Sequence, residues 1–124
     1  QMFRRMVFNV IARNCDDHTK NFSFLLRQGG KWELAPAYDM CYAFRPGSEW
    51  VSQHTLSING KRKDITRGDL LFVGESVRCK KAADIVDQIN DTVNQWKRFA
   101  DEVEVKRTLS DEIAKTLSIR IKQF

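Results

Sequence analysis

The sequence predicts a mainly α-helical domain that carries one or two small β-hairpins. Three observations support this expectation. Apolar residues recur at helical spacing near the start and again through much of the second half. Two short apolar and aromatic segments flank the pair Gly29-Gly30, as the strands of a hairpin flank its turn. A hydrophobic content of 42% with 30% charged residues suits a water-exposed domain with one core, and 124 residues make one domain or part of one.

The elements follow in order. Phe3, Met6, Val7, Val10 and Ile11 repeat at helical spacing, with Arg4, Arg5 and Asn9 between them, and predict a helix that ends near Arg13-Asn14. There the composition turns polar, and Asn and Asp side chains compete for backbone hydrogen bonds, so residues 14–21 read as a loop. Phe22 to Leu26 reads as a strand, Gln28 to Lys31 as a turn and Trp32-Glu33-Leu34 as the returning strand. Residues 43–49, with Pro46-Gly47, are loop. His54 to Ile58 is a candidate second strand closed by Asn59-Gly60. Thr66 followed by Asp69 marks a helix start and Gly74 its stop. Ser76 is expected to open the longest helix, carried by Ile85, Ile89, Val93 and Trp96. Ile113, Leu117 and Ile121 predict a last helix begun at Thr108 or Ser110.

Composition bounds the function. No run approaches eighteen apolar residues, so no membrane span is expected, and no signal peptide is visible. Cys15, Cys41 and Cys79 are far apart and form no C-x-x-C pair, which points to free thiols in a reducing cytoplasm rather than a zinc site. The net charge of +5 suits a phosphate-bearing or acidic partner. The cations are scattered along the chain, however, and are read mostly as solvated faces. Trp32, Trp50 and Trp96 are read as core or interface anchors, and His54 as a strand-face residue without chemistry.

The chemistry concentrates in Asp16-Asp17-His18-Thr19-Lys20-Asn21 and in Asp39, eighteen positions after Asn21. A hairpin brings its open ends together, so Asn21 is expected beside Tyr38-Asp39. A carboxylate for the attacking hydroxyl, a lysine for phosphate charge, and an amide and a second carboxylate for magnesium are the parts of a phosphoryl-transfer site. Protein kinases place the catalytic Asp and the metal-binding Asn five apart, as Asp16 and Asn21 are here. Asp17 is either a solvent-facing bystander or a neighbour that raises the Asp16 pKa.

The run Asn14-Cys15-Asp16-Asp17-His18-Thr19-Lys20-Asn21-Phe22-Ser23-Phe24, followed by Trp32-Glu33-Leu34-Ala35-Pro36-Ala37-Tyr38-Asp39, resembles the C-terminal core of HipA-family kinases. That family carries an N-x-D-x-H-x-K-N-F-S type motif and then a Pro-x-Tyr-Asp motif. Leu56 to Lys61 also resembles a family segment, whereas beyond about residue 75 only helical periodicity remains. The resemblance implies that residues 1–124 are part of the C-terminal lobe of a kinase-like fold, in a serine/threonine protein kinase that is the toxin of a bacterial toxin–antitoxin pair. Position by position, it implies Asp16 as the catalytic aspartate and Asn21 and Asp39 as Mg2+ ligands for ATP. Lys20 matches a position suited to phosphate charge. His18 either joins the chemistry or holds the loop by hydrogen bonds. Implied partners are a protein substrate, with aminoacyl-tRNA synthetases among family targets, and a small DNA-binding antitoxin. The chain departs from the family pattern in two respects, the smaller being the second carboxylate at Asp17. The larger is the lack of a glycine-rich loop before a strand and of a strand lysine paired with a helical glutamate. Those parts are expected upstream, since the chain opens on Gln1 within a helical pattern, and this piece alone is expected to be inactive or nearly so.

Two other classes compete. A basic nucleic-acid-binding module fits the charge, but its cations do not line one helix face. A metal-dependent phosphoesterase could use Asp16, His18 and Asp39 as ligands, yet such sites usually draw on more than the two histidines present. A decayed interaction domain would not be expected to keep Asp16, Asn21 and Asp39 together.

Overall fold

The computed structural model describes residues 1–124. The helices are α1 (Met2–Ile11), α2 (Arg67–Ser76), α3 (Ala82–Asn94), α4 (Trp96–Glu102) and α5 (Arg107–Ile121). One antiparallel hairpin, β1 (Phe24–Leu26) and β2 (Trp32–Leu34), pairs Phe24 with Leu34 and Leu26 with Trp32. The predicted class, mainly helical with a small hairpin, is the one observed.

Burial of apolar surface drives the arrangement. α1 buries Phe3, Val7, Val10 and Ile11 along α3, which turns Val86, Ile89 and Val93 inward. α5 adds Ile113 and Leu117, while Ile58, Ile65 and Leu70 close the remaining side. The end of α1 is therefore held by the core, and the polar loop that leaves it starts from a rigid base. No helix is long and apolar enough to cross a membrane.

Several elements differ from the sequence reading. His54 to Ile58 forms no strand. Only an isolated bridge, Ile58 with Lys61, surrounds Asn59 and Gly60, both at the positive φ such a tight turn requires. Gly74 does not stop α2, which runs to Ser76. It is a packing position instead: a Cβ there would lie 2.5 Å from the Ala82 Cβ and 3.1 Å from Phe3 Cζ. Ser76 ends α2, with its hydroxyl donating to the Val73 carbonyl, and α3 starts at Ala82. The long helix expected through Trp96 breaks at Gln95, and the longest helix is α5. No proline or glycine forces that break; beyond it the Trp96 indole donates to the Ser110 carbonyl at 3.0 Å. Trp32 and Trp50 are 69% and 77% exposed, so neither is a core anchor.

The helix start read at Thr66 is a complete capping box: Thr66 Oγ1 accepts from the Asp69 N–H, and the Asp69 carboxylate accepts from the Thr66 N–H. Asp69 is buried and also accepts from Lys61 Nζ and Asn59 Nδ2, both at 2.8 Å. Lys61 above all, then the Thr66 N–H, holds this carboxyl well below the usual carboxylate range. A carboxyl with a depressed folded-state pKa stabilises the fold above its unfolded pKa, and that stability is lost as the pH falls. Stability is expected to decline as the pH drops below about 4. Asp69→Ala should remove roughly 2 kcal/mol at neutral pH and flatten the acid limb, as read by urea unfolding at several pH values.

Candidate functional site

The site is built on the turn that leaves α1. Arg13 adopts the left-handed conformation (φ 55°) and swings the chain out of the helix. Asn14, fully buried, then ties three segments together. Its Nδ2 donates to Asn9 Oδ1 on α1 at 3.1 Å and to the Asp39 carbonyl at 3.0 Å, while its N–H donates to the Asn9 carbonyl. Backbone pairing continues on both sides. The Cys15 N–H donates to the Ala43 carbonyl, and the Cys15 carbonyl accepts from the Thr55 N–H. Residues 13–15 thus run between the segments at 43 and at 55 as one short irregular layer.

Asp17 locks the next turn. Its side chain is only 3% exposed. One oxygen accepts from the Thr55 N–H at 2.8 Å and the Leu56 N–H at 3.2 Å, and the other meets His54 Nδ1 at 3.0 Å. Asp17 is neither a bystander nor available to a substrate, and His54 is not an idle surface residue: the two form a buried pair. Sequence reasoning missed it because its partners lie some forty residues away; the only visible signal was that the two residues are polar.

Asp16 points the other way and is half-exposed, with no hydrogen bond to its carboxylate. His18 Nε2 lies 3.9 Å from Asp16 Oδ1, a loose contact. His18 Nδ1 is buried without a partner, so the ring does not hold the loop by hydrogen bonds. Thr19–Asn21 forms one 3-10 turn. There Asn21 Nδ2 donates to the Asp16 carbonyl at 3.0 Å, which turns Oδ1 of the amide away from that bond. The Lys20 side chain is exposed and forms no ion pair.

The hairpin returns the chain to the same place. Tyr38 Oη donates to the Lys20 carbonyl at 2.7 Å, so the mouth of the hairpin closes on the 3-10 turn. On the α1 side, the Arg5 guanidinium donates to the Ala35 carbonyl. Asp39 takes a left-handed backbone (φ 53°), a conformation that aspartate tolerates better than most residues, and its carboxylate has no protein partner. Cys41 reports the convergence. Its thiol is pushed up by burial, then by Asp39, then by Asp16, so both carboxylates act on one sulfur. Burial raises Cys15 further, to about 11, and all three cysteines are free thiols.

No three His, Cys, Asp or Glu side chains are arranged to hold a metal by themselves. What the loop and the hairpin do offer is a pair of uncommitted oxygen donors, Asn21 Oδ1 and the Asp39 carboxylate. That donor set suits a hard cation that keeps several waters and takes its other oxygens from a phosphate.

A helix feeding a polar loop and a hairpin, set on a helical core, is consistent with the lower lobe of a kinase-like fold. The chain belongs to the HipA-like C-terminal domain family, whose pattern it matches over residues 1–122. Membership supports a kinase-like role in general. No curated protein and no solved structure matches the chain.

Two outcomes are expected. Asp17→Ala leaves two N–H groups and His54 without their acceptor and should destabilise the fold by about 3 kcal/mol. Asp16→Asn should leave the melting temperature within a degree or two; calorimetry of the two variants compares them. Asp39→Asn and Asp16→Asn should each lower the Cys41 pKa and raise its alkylation rate at pH 8, roughly twofold, with Cys15 unchanged. Mass spectrometry of iodoacetamide-treated protein reads this directly.

Proposed function

We propose that this chain is the catalytic-loop part of a serine/threonine protein kinase of the HipA type. The reaction is in-line transfer of the ATP γ-phosphoryl group to a protein hydroxyl, with ADP as the leaving group. The observation that carries this reading is the split between the two adjacent aspartates. Asp17 is consumed by structure, and Asp16 is left half-exposed and unbonded at a rigid position.

In this reading Asp16 orients the attacking hydroxyl and accepts its proton. The exposed Lys20 ammonium offsets phosphate charge. Asn21 Oδ1 and the Asp39 carboxylate hold Mg2+, which when bound neutralises charge on the nucleotide phosphates. His18, beside Asp16 with one ring nitrogen unpartnered, keeps an imidazole next to the reacting proton. The exposed Phe24, Leu25, Leu26 and Trp32 of the hairpin fit a surface covered by further protein. No glycine-rich phosphate cradle is found here: Gly29-Gly30 is the hairpin turn. The 124 residues alone are therefore proposed to be inactive, with the rest of the nucleotide pocket supplied from outside them. In this reading the kinase acts in the cytoplasm as the toxin of a toxin–antitoxin pair, a role that the family resemblance supports. Its proposed partners are a DNA-binding antitoxin and a protein substrate such as an aminoacyl-tRNA synthetase.

The phosphoesterase reading is less well supported, because a site that binds metal without nucleotide needs more ligands than this loop and hairpin bring together. Phosphoryl transfer from labelled ATP by the full-length natural chain tests the proposal. Asp16→Asn and Asp39→Asn should each reduce labelling by a factor of about 100 or more without lowering the melting temperature. Undiminished labelling in both variants would remove these residues from the chemistry, and a folded wild type that binds no ATP would remove the kinase reading.

A further inference from the structure

Four of the basic residues that look scattered in the sequence gather at one cavity. Arg13 from the end of α1, Arg62 and Lys63 from the segment after the Asn59-Gly60 turn, and Arg120 from the last turn of α5 line a space of about 310 Å³. Cys15 and His54 also border it, so it lies against the backbone of the candidate catalytic loop.

The charge at this cavity is unbalanced. None of the four cations is in an ion pair. Asp64 is the one carboxylate in the lining, and it lies beyond ion-pair distance of them all. Arg120 is 8% exposed, yet its hydrogen bond to protein goes to the neutral Gln123 Oε1 at 2.7 Å, and its plane lies over the Phe124 ring. Arg13 donates to the Thr116 carbonyl and stacks on Phe44 at 4.1 Å. Arg62 donates to the His54 carbonyl, and Lys63 has no acceptor. A guanidinium carries five N–H donors, so most of those on these arginines have no protein acceptor. Burial, and next the neighbouring Arg13, push the Arg120 guanidinium down to about 10, still protonated at neutral pH. Asp64, though beyond ion-pair distance, offsets part of this, and a buried cation with no ion-pair partner is costly unless something else supplies the charge.

We propose that this cavity is an oxyanion site that takes a phosphate monoester dianion, held by Arg120 at its base and by Arg13, Arg62 and Lys63 around it. Three arguments select that chemistry. Four cations against one carboxylate call for more than a single negative charge. Arginine forks pair with the several terminal oxygens of a phosphate. A concave site with its most buried cation at the base admits a group that projects from its carrier. A phosphodiester, with one charge and an ester on each side, would meet the rim instead. The proposal does not rest on the kinase reading. It concerns a ligand site beside the Asp16 loop, which Arg13 and Cys15 join to it through the backbone.

The test is calorimetric titration of the chain at pH 7.5 with inorganic phosphate, with a short phosphoserine peptide, with the same peptide unphosphorylated and with duplex DNA. Saturable binding of phosphate, of the phosphopeptide, or of both is expected, with none for the unphosphorylated peptide; which of the first two binds identifies the source. Arg62→Gln and Lys63→Gln, on exposed side chains, should each weaken it about tenfold. Arg120→Met should abolish it without lowering the melting temperature, since it removes an unpaired buried charge. Should Arg120→Met unfold the chain, the two exposed variants decide alone. The absence of saturable binding, or binding that neither exposed variant weakens, would overturn the proposal. So would duplex DNA that binds more tightly than either phosphate ligand and displaces it.

Discussion

The Asp17 carboxylate and its three donors set the conditions under which the rest of the site exists. A buried carboxylate is tolerated only when its oxygens are hydrogen-bonded, and here the donors come from residues 54–56, far along the chain. The loop after α1 therefore keeps its shape only against the segment around His54, and Asp16, the neighbour of the buried Asp17, is left half-exposed on the other side. Asn14 does for the backbone what Asp17 does for the side chains, joining α1, the loop and the Asp39 carbonyl. Between them, these two buried residues convert a polar stretch that would otherwise be mobile into a rigid platform.

Much of the framework was legible from local pattern. The apolar spacing of α1, the capping box at Thr66 and the Gly-Gly turn each depend on a few neighbouring residues, and each occurs where the sequence predicted it. The grouping of Asp16, Lys20 and Asn21 in one loop, with Tyr38 returning to it, was legible for the same reason. Long-range features were not. Spacing to Asn21 singles out Asp16, but nothing local shows that Asp17 is buried, since its partners lie about forty residues away. Gly74 reads as a helix stop by composition, yet it is selected by the close approach of Phe3 and Ala82. Trp32 and Trp50 look like anchors because tryptophan usually is buried, but Trp32 lies on a two-stranded hairpin and Trp50 in an exposed turn, and nothing covers either. The convergence of Arg13, Arg62, Lys63 and Arg120 depends on how α5 crosses the loops, which no spacing encodes.

Charge is sorted in space more sharply than in sequence. Asp16 and Asp39 sit with free carboxylates at the hairpin mouth and act together on Cys41. Four unpaired cations, Arg13, Arg62, Lys63 and Arg120, collect around a separate cavity, which His54 and Cys15 also border. One short layer of backbone, residues 13–17 against 43 and 54–56, separates the mouth that holds the Asp16 and Asp39 carboxylates and the exposed Lys20 from the cationic cavity. Such a division keeps each opening from neutralising the other, and both stay receptive to ligands of opposite sign.

The hairpin is clamped at its mouth and free at its tip. Tyr38 on Lys20 and Arg5 on Ala35 hold the open end, whereas Gly29 and Gly30 project with no neighbours beyond their own turn and Arg27. Since each strand is only three residues long, the tip contributes little to holding the ends together. The tip is thus the place where this chain tolerates a change of length. Residues inserted or nicked there would lengthen a surface loop at small entropic cost, while Asn21 and Asp39 kept their separation.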